Sequence, residues 1–166
     1  TVNGSGKPGF FRTHHDGQRW WLVDPDGYAF WSSGLDCVRF SITSAYEGLE
    51  KALTWLPPLD DAQYHTAHGL RERRSFNYLK ANFIRAFARG EETAESDARE
   101  AWAKITLAHL RNFGFNTVAN WSDWEIASRA GVPYVRPLGG RDLPIPKVYR
   151  DFPDVFHFNY AEMTRR

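Results

Sequence analysis

The sequence predicts an α/β fold, a β-meander followed by βα units whose strands pair in parallel. Three observations carry that prediction. Two Asp-Gly turns, Asp16-Gly17 and Asp26-Gly27, separate aromatic and β-branched runs within residues 10–31, a strong short-range hairpin signal. From residue 32 to residue 138, strand-like stretches alternate with helical periodicity, which calls for parallel pairing through right-handed crossovers. Residues 113–125 then pack a helix end, a strand and a new helix start into one run.

Taken in order, residues 1–9 are polar and glycine-rich, a flexible N-terminus that lacks the apolar centre of a signal peptide. Phe10-Phe11-Arg12-Thr13 and Arg19-Trp20-Trp21-Leu22-Val23 flank the first turn, and Tyr28-Ala29-Phe30-Trp31 follows the second. The simpler reading is a hairpin capping a larger core; a sugar-stacking platform made by Trp20 or Trp21 is the other. Ser32-Ser33-Gly34 opens the next strand, and its small residues suggest close backbone packing. Alternation over 32–40 puts Leu35, Cys37 and Arg39 on one face and Asp36 and Val38 on the other. Polar Asp36, Cys37 and Arg39 gather towards the carboxyl end. Arg39 there suits a ligand hydroxyl or a structural ion pair equally well.

Residues 41–71, with Pro57-Pro58 and Asp60-Asp61, read as an irregular insertion. Asp61, His65 and His68 make at most a weak metal signal, so no metal is expected, and Trp55 and Tyr64 could lean over a cleft. Phe76, Leu79, Phe83 and Phe87 recur at spacings of three and four, an amphipathic helix stripe that Gly90 ends. Glu91-Glu92 lead a second helix over 93–113, with Trp102, Ile105, Ala108, Leu110 and Phe113 inward and His109 a packing residue. Gly114 supplies the left-handed helix stop, and 115–119 forms a strand. Ser122 and Glu125 fit a capping box opening a helix to residue 130. Gly131 closes it, and Tyr134-Val135-Arg136-Pro137-Leu138 runs extended. Residues 139–166, with four prolines and glycines among the first eight, read as an irregular C-terminal segment.

Composition narrows the function classes. The 21 Lys and Arg nearly balance the 20 Asp and Glu, a net charge of +1. That gives no electrostatic case for nucleic acid or an anionic membrane as partner. No apolar run approaches a membrane span. One cysteine, Cys37, excludes an internal disulfide. Seven tryptophans, seven tyrosines and twelve phenylalanines favour a binding protein with a large apolar core.

No GxSxG, HExxH, GxGxxG or phosphate-binding glycine loop occurs, so neither a serine or cysteine nucleophile nor a cofactor is indicated. Glycosidases pair two carboxylates about 5–5.5 Å or about 6.5–9.5 Å apart. Asp36 and Asp123 both fall near carboxyl ends of strands expected to be neighbours, but Asp123 is more simply a first-turn helix acid. The most functional-looking place is Asn120-Trp121, a hydrogen-bonding amide beside a large flat ring. It lies at the strand's carboxyl end, where βα units hold ligands.

Two motifs carry a resemblance. Gly9-Phe10-Phe11-Arg12, Asp16 to Gly27 and Phe30 to Val38 look like the opening of the β-agarase family of glycoside hydrolases (family 50). Leu110 to Asp123, with Pro133-Tyr134-Val135, is similar to that family's second and third barrel strands. The match spans roughly residues 9–156. It implies the first three strands of a (β/α)₈ barrel acting on agar-type galactans with retention, outside the cell or in the periplasm. The family's acid/base glutamate lies in an Asn-Glu pair on a later strand, and no Asn-Glu pair occurs here. The resemblance therefore implies no catalytic residue in this chain. It places Asn120 and Trp121, with Cys37 and Arg39, in a substrate cleft, where Asp36 and Asp123 could also touch substrate. Three strands cannot close a barrel of eight, so a complementary chain or a second copy is expected over the open edge. The alternative is a non-catalytic carbohydrate-binding or structural segment; a small enzyme using Asp36 and Asp123 is the third reading.

Overall fold

The turn residues of the first hairpin organise the N-terminal sheet. Asp16 Oδ1 accepts from the backbone N–H groups of Gln18 and Arg19, both at 2.8 Å, and Oδ2 accepts from Trp21 Nε1 at 2.6 Å. These bonds, that from Trp21 foremost, hold the Asp16 carboxyl well below the usual carboxylate range. Asp24 repeats the device, accepting from Tyr28 N at 2.8 Å. With Gly17 and Gly27 in the left-handed region, β1 (Arg12–His15), β2 (Trp20–Val23) and β3 (Ala29–Phe30) form the antiparallel meander. One of its faces contributes Val23, fully buried; Trp20 stays 70% exposed.

The computed structural model describes residues 9–69, 74–137, 145–150 and 152–163. Residues 1–8 of the expected N-terminal tail, and 138–144 further on, lie outside them. The chain divides into two compact units, Thr1–Val135 and Arg136–Arg166. Several small sheets and the helices make a mixed α/β architecture.

In the first unit, β4 (Gly34–Leu35) pairs in parallel with β8 (Thr117–Val118), and Val118 forms a parallel bridge to Tyr134. Gly34 is there because a Cβ would stand 2.1 Å from the Thr117 carbonyl oxygen. Between β4 and β8 the chain makes an antiparallel three-stranded sheet of β5 (Ser44–Ala45), β6 (His68–Gly69) and β7 (Ser75–Phe76), with β7 central. The insertion is thus more ordered than its sequence suggested. Tyr46, Ala67, Phe76 and Ala81 form its core. Trp55 and Tyr64 pack edge to face at 5.2 Å against that core rather than over a cleft.

Helix α1 (Tyr78–Phe87) starts at Asn77, whose side-chain oxygen accepts from Lys80 N at 2.8 Å. The stripe expected to begin at Phe76 therefore begins one turn later, and Phe76 is a strand residue. Helix α2 (Ala94–Asn112) buries Ala98, Trp102, Leu107 and Leu110. Ala108 and Phe113, expected inward, are exposed, and so is His109, whose ring meets Phe113 at 6.3 Å. The main core gathers Val38, Phe40, Ile84, Trp102, Val118 and Ile126, with the Phe40 and Trp102 rings 5.3 Å apart.

Helices α2 and α3 (Trp124–Arg129) end alike. Gly114 N donates to Arg111 O and Phe115 N to Leu110 O, both at 2.9 Å. Gly131 N and Val132 N repeat the pattern on Ser128 O and Ala127 O. Gly114 and Gly131 take φ of +81° and +63°. Each is the Schellman closure, which satisfies orphan carbonyls and turns the chain straight into the next extended segment. The second unit holds a short antiparallel pair, β9 (Lys147–Tyr149) and β10 (Phe152–Pro153), and a one-turn helix α4 (Tyr160–Met163). That stretch had no strand signal in the sequence.

Candidate functional site

Beyond β4 and β8 the two segments of the chain do not part; they zip together through their loops. Ala119 N donates to Leu35 O at 2.9 Å, and Cys37 N to Asn120 O at 2.9 Å. Asp36 Oδ1 accepts from Asn120 N at 2.8 Å. Further along, Val38 N donates to Ser122 Oγ at 3.0 Å, Asp123 N to Val38 O at 2.8 Å, and Phe40 N to Asp123 Oδ2 at 3.0 Å. The ladder is closed below by Asn116, which the sequence reading did not single out. Its Oδ1 accepts from Ser33 N and its Nδ2 donates to Trp31 O, both at 2.9 Å. A side-chain amide thus stands in for one more backbone rung.

The zipper sorts the candidate residues. Asp36, Cys37, Asn120 and Trp121 come together at the carboxyl ends of the two parallel strands. Cys37 and Trp121 are both exposed and both left-handed, with φ of 58° and 55°. The three non-glycine residues at positive φ among those described include both of these. Such conformations persist where the surroundings over-determine them, and they cluster at binding sites. Trp121 is 59% exposed. The half-buried Asn120 uses both backbone groups in the zipper, while its side-chain amide makes no hydrogen bond among the described residues. An amide with free donors and acceptor beside an exposed indole suits a polar ring with one apolar face.

Asp123 and Arg39 stand differently. Asp123 braces the first-strand loop through Phe40 N and pairs with Arg99 of α2 at 3.5 Å. Arg39 is exposed, between buried Val38 and Phe40. Asp36 likewise gives one oxygen to a backbone donor. Both carboxylates therefore have structural work in the zipper. The expected capping box is replaced, since the Ser122 hydroxyl is taken by Val38 N and Asp123 occupies the cap position of α3.

Among the described residues no group of three His, Cys, Asp or Glu is placed to hold a metal. Asp61 Oδ1 accepts from Gln63 N and Tyr64 N, and His68 Nε2 donates to the Pro57 carbonyl at 3.1 Å.

No protein-family model matches the chain. β-Agarase B of Vibrio sp. (strain JT0107) is 29% identical over 153 residues, which cover 76% of this chain and 16% of that protein. β-Agarase A of the same organism is 26% identical over 164 residues, covering 86% of this chain and again 16% of its own length. The crystal structure of an agarase, AgWH50C, superposes with a TM-score of 0.64 at 26% identity, over 80% of this chain and 20% of that one. The chain thus spans 16% of the length of the curated relatives it matches.

Proposed function

We propose, proceeding from this chain's similarity to β-agarases over most of its length, that it is the part of an agar-degrading glycoside hydrolase that carries the first wall of the substrate cleft. Its parallel rungs at Gly34, Thr117 and Tyr134 are the first three strands of a (β/α)₈ barrel, and the meander precedes them. The reaction is hydrolysis of β-1,4 galactosidic bonds with retention, and the acid/base and nucleophile glutamates lie outside this chain. The observation that carries the reading is the loop zipper. It fixes a side-chain amide with no hydrogen bond among the described residues, that of Asn120, and an exposed indole, Trp121, at the carboxyl ends of parallel strands, where barrels bind substrate. Trp121 stacks on a galactose ring and Asn120 bonds its hydroxyls. Asp36, Cys37 and Arg39 line the neighbouring loop, and Asp123 holds the wall in place.

A non-catalytic carbohydrate-binding role for the isolated chain is the second reading, favoured by the structural engagement of both Asp36 and Asp123. Incubating the purified chain with agarose and neoagaro-oligosaccharides, and titrating the same oligosaccharides calorimetrically, tests both. Binding without turnover is expected. Turnover that vanishes in Asp36→Asn or Asp123→Asn would place the chemistry in this chain and overturn the assignment. Absence of binding would remove the cleft.

A further inference from the structure

We infer that the groove between α2 and α3 docks an acidic amphipathic polypeptide segment, one with an apolar face flanked by carboxylates. The groove has a volume of about 670 Å³ and runs along α2 from Ser96 to Arg111, roughly 22 Å at 1.5 Å per residue. Arg99, Lys104 and Arg111 of α2 and Arg129 of α3 line it, against the one carboxylate of Glu100. A chain whose charges nearly cancel overall, at +1, concentrates cations there.

Two of those cations are already anchored: Arg99 pairs with Asp123 at 3.5 Å and Arg111 Nη2 donates to the Ala130 carbonyl at 3.4 Å. Lys104 and Arg129 make no hydrogen bond or ion pair among the described residues. The floor is apolar, built from Ala103, Leu107, Ile126 and Ala130. That floor decides the class of ligand. A bare polyanion would leave it wet, and a sugar would find no aromatic ring to stack on. A helix or strand with leucine-like side chains inward and Asp or Glu at its margins satisfies both walls and floor. No residue of the loop zipper lines the groove, so the inference stands apart from the agar-binding reading.

The probe is a synthetic fluorescein-labelled helical peptide with Leu along one face and Glu along both flanks, titrated with the full chain and followed by anisotropy. Binding is expected, weakening severalfold as salt rises from about 50 mM to about 500 mM. The double variant Lys104→Gln with Arg129→Gln should lower affinity about tenfold or more with little change in melting temperature, because neither side chain has a hydrogen bond or ion pair to lose among the described residues. The proposal falls if the double variant binds the probe as well as the parent does. It falls equally if a Leu→Ser version of the peptide, or dextran sulfate, binds as tightly, since the surface would then be a plain polyanion site. No binding at about 1 mM would also end it.

Discussion

Trp121 is held under two demands that pull apart. Its backbone is left-handed at φ 55°, which costs a residue bearing a Cβ about 1–2 kcal/mol. The residue, left 59% exposed, recovers little of that through burial. A glycine would fit the backbone better, and an indole this exposed adds little to packing. Trp121→Ala should therefore cost under about 1 kcal/mol in urea denaturation, far from the 3–5 kcal/mol of a buried aromatic truncation, while oligosaccharide affinity drops at least about tenfold. Trp121→Gly should match or exceed the parent's stability and lose the same affinity. A loss of several kcal/mol in both would make Trp121 a core residue. Gly34 is the opposite case, a residue whose lack of a side chain is the point. Its Cβ would meet the Thr117 carbonyl oxygen at 2.1 Å, and backbone cannot swing aside. Gly34→Ala should destabilise by about 2 kcal/mol or more. A change under about 0.5 kcal/mol would mean the two strands have room to part.

At the scale of elements, the joint between α1 and α2 depends on one carboxylate. Asp97, buried in the first turn of α2, accepts from the Arg89 guanidinium, from Arg89 N at 3.0 Å and from Thr93 Oγ1 at 2.8 Å. The Arg89 side chain foremost, with those other donors, holds its carboxyl well below the carboxylate range. A depressed folded-state pKa gives stability that is complete above the unfolded value, about 3.9, and is lost as pH falls below it towards the folded one. Melting temperatures measured from neutral pH downwards should fall on the acid side of about 4. Asp97→Asn should melt lower at pH 7 yet lose less on acidification. Asp16, also depressed, gives the meander a share of the same slope, so an Asp16→Asn control separates the two; parallel acid curves for parent and Asp97→Asn would refute the assignment. These elements also show what a sequence can and cannot disclose. Gly114 and Gly131 were legible as helix stops, because a Schellman closure is local. The meander was legible because Asp-Gly turns announce themselves. The capping box failed because Ser122 is claimed by Val38, 84 positions away. The strand read over 32–40 shrank to Gly34–Leu35 because the loop zipper buries Val38 and Phe40 in the same alternating rhythm a strand would. The β5, β6 and β7 rungs, two residues each, are too short to leave any period. Asn120 and Trp121 were legible as an odd pair at a strand end; Asn116 was not, since an amide completing a ladder looks like any loop asparagine.

At the scale of the whole molecule, the parallel ladder of the first unit ends in edges that pair with no other strand among the described residues. Its order is β4, β8 and the Tyr134 bridge, and no further strand adjoins β4 among the described residues. Exposed apolar side chains belong to that edge: Trp31, 80% exposed, precedes β4, and Leu35 within it is 42% exposed. An open edge with exposed apolar side chains templates further pairing, and the three proposed barrel strands do not close on themselves. The proposed barrel reading therefore predicts that the isolated chain is not a stable monomer. Light scattering after size exclusion should give masses above 19.1 kDa, falling towards that value only as the chain is diluted and its melting transition broadens. Replacing Trp31 and Leu35 together by Lys, which charges the edge and leaves their backbone carbonyls to accept in the zipper, should shift the distribution to monomer. A sharp, concentration-independent transition in a 19.1 kDa species would count against the open-barrel reading. The first unit would then be a self-sufficient module, and its sugar site would have to work without a second wall.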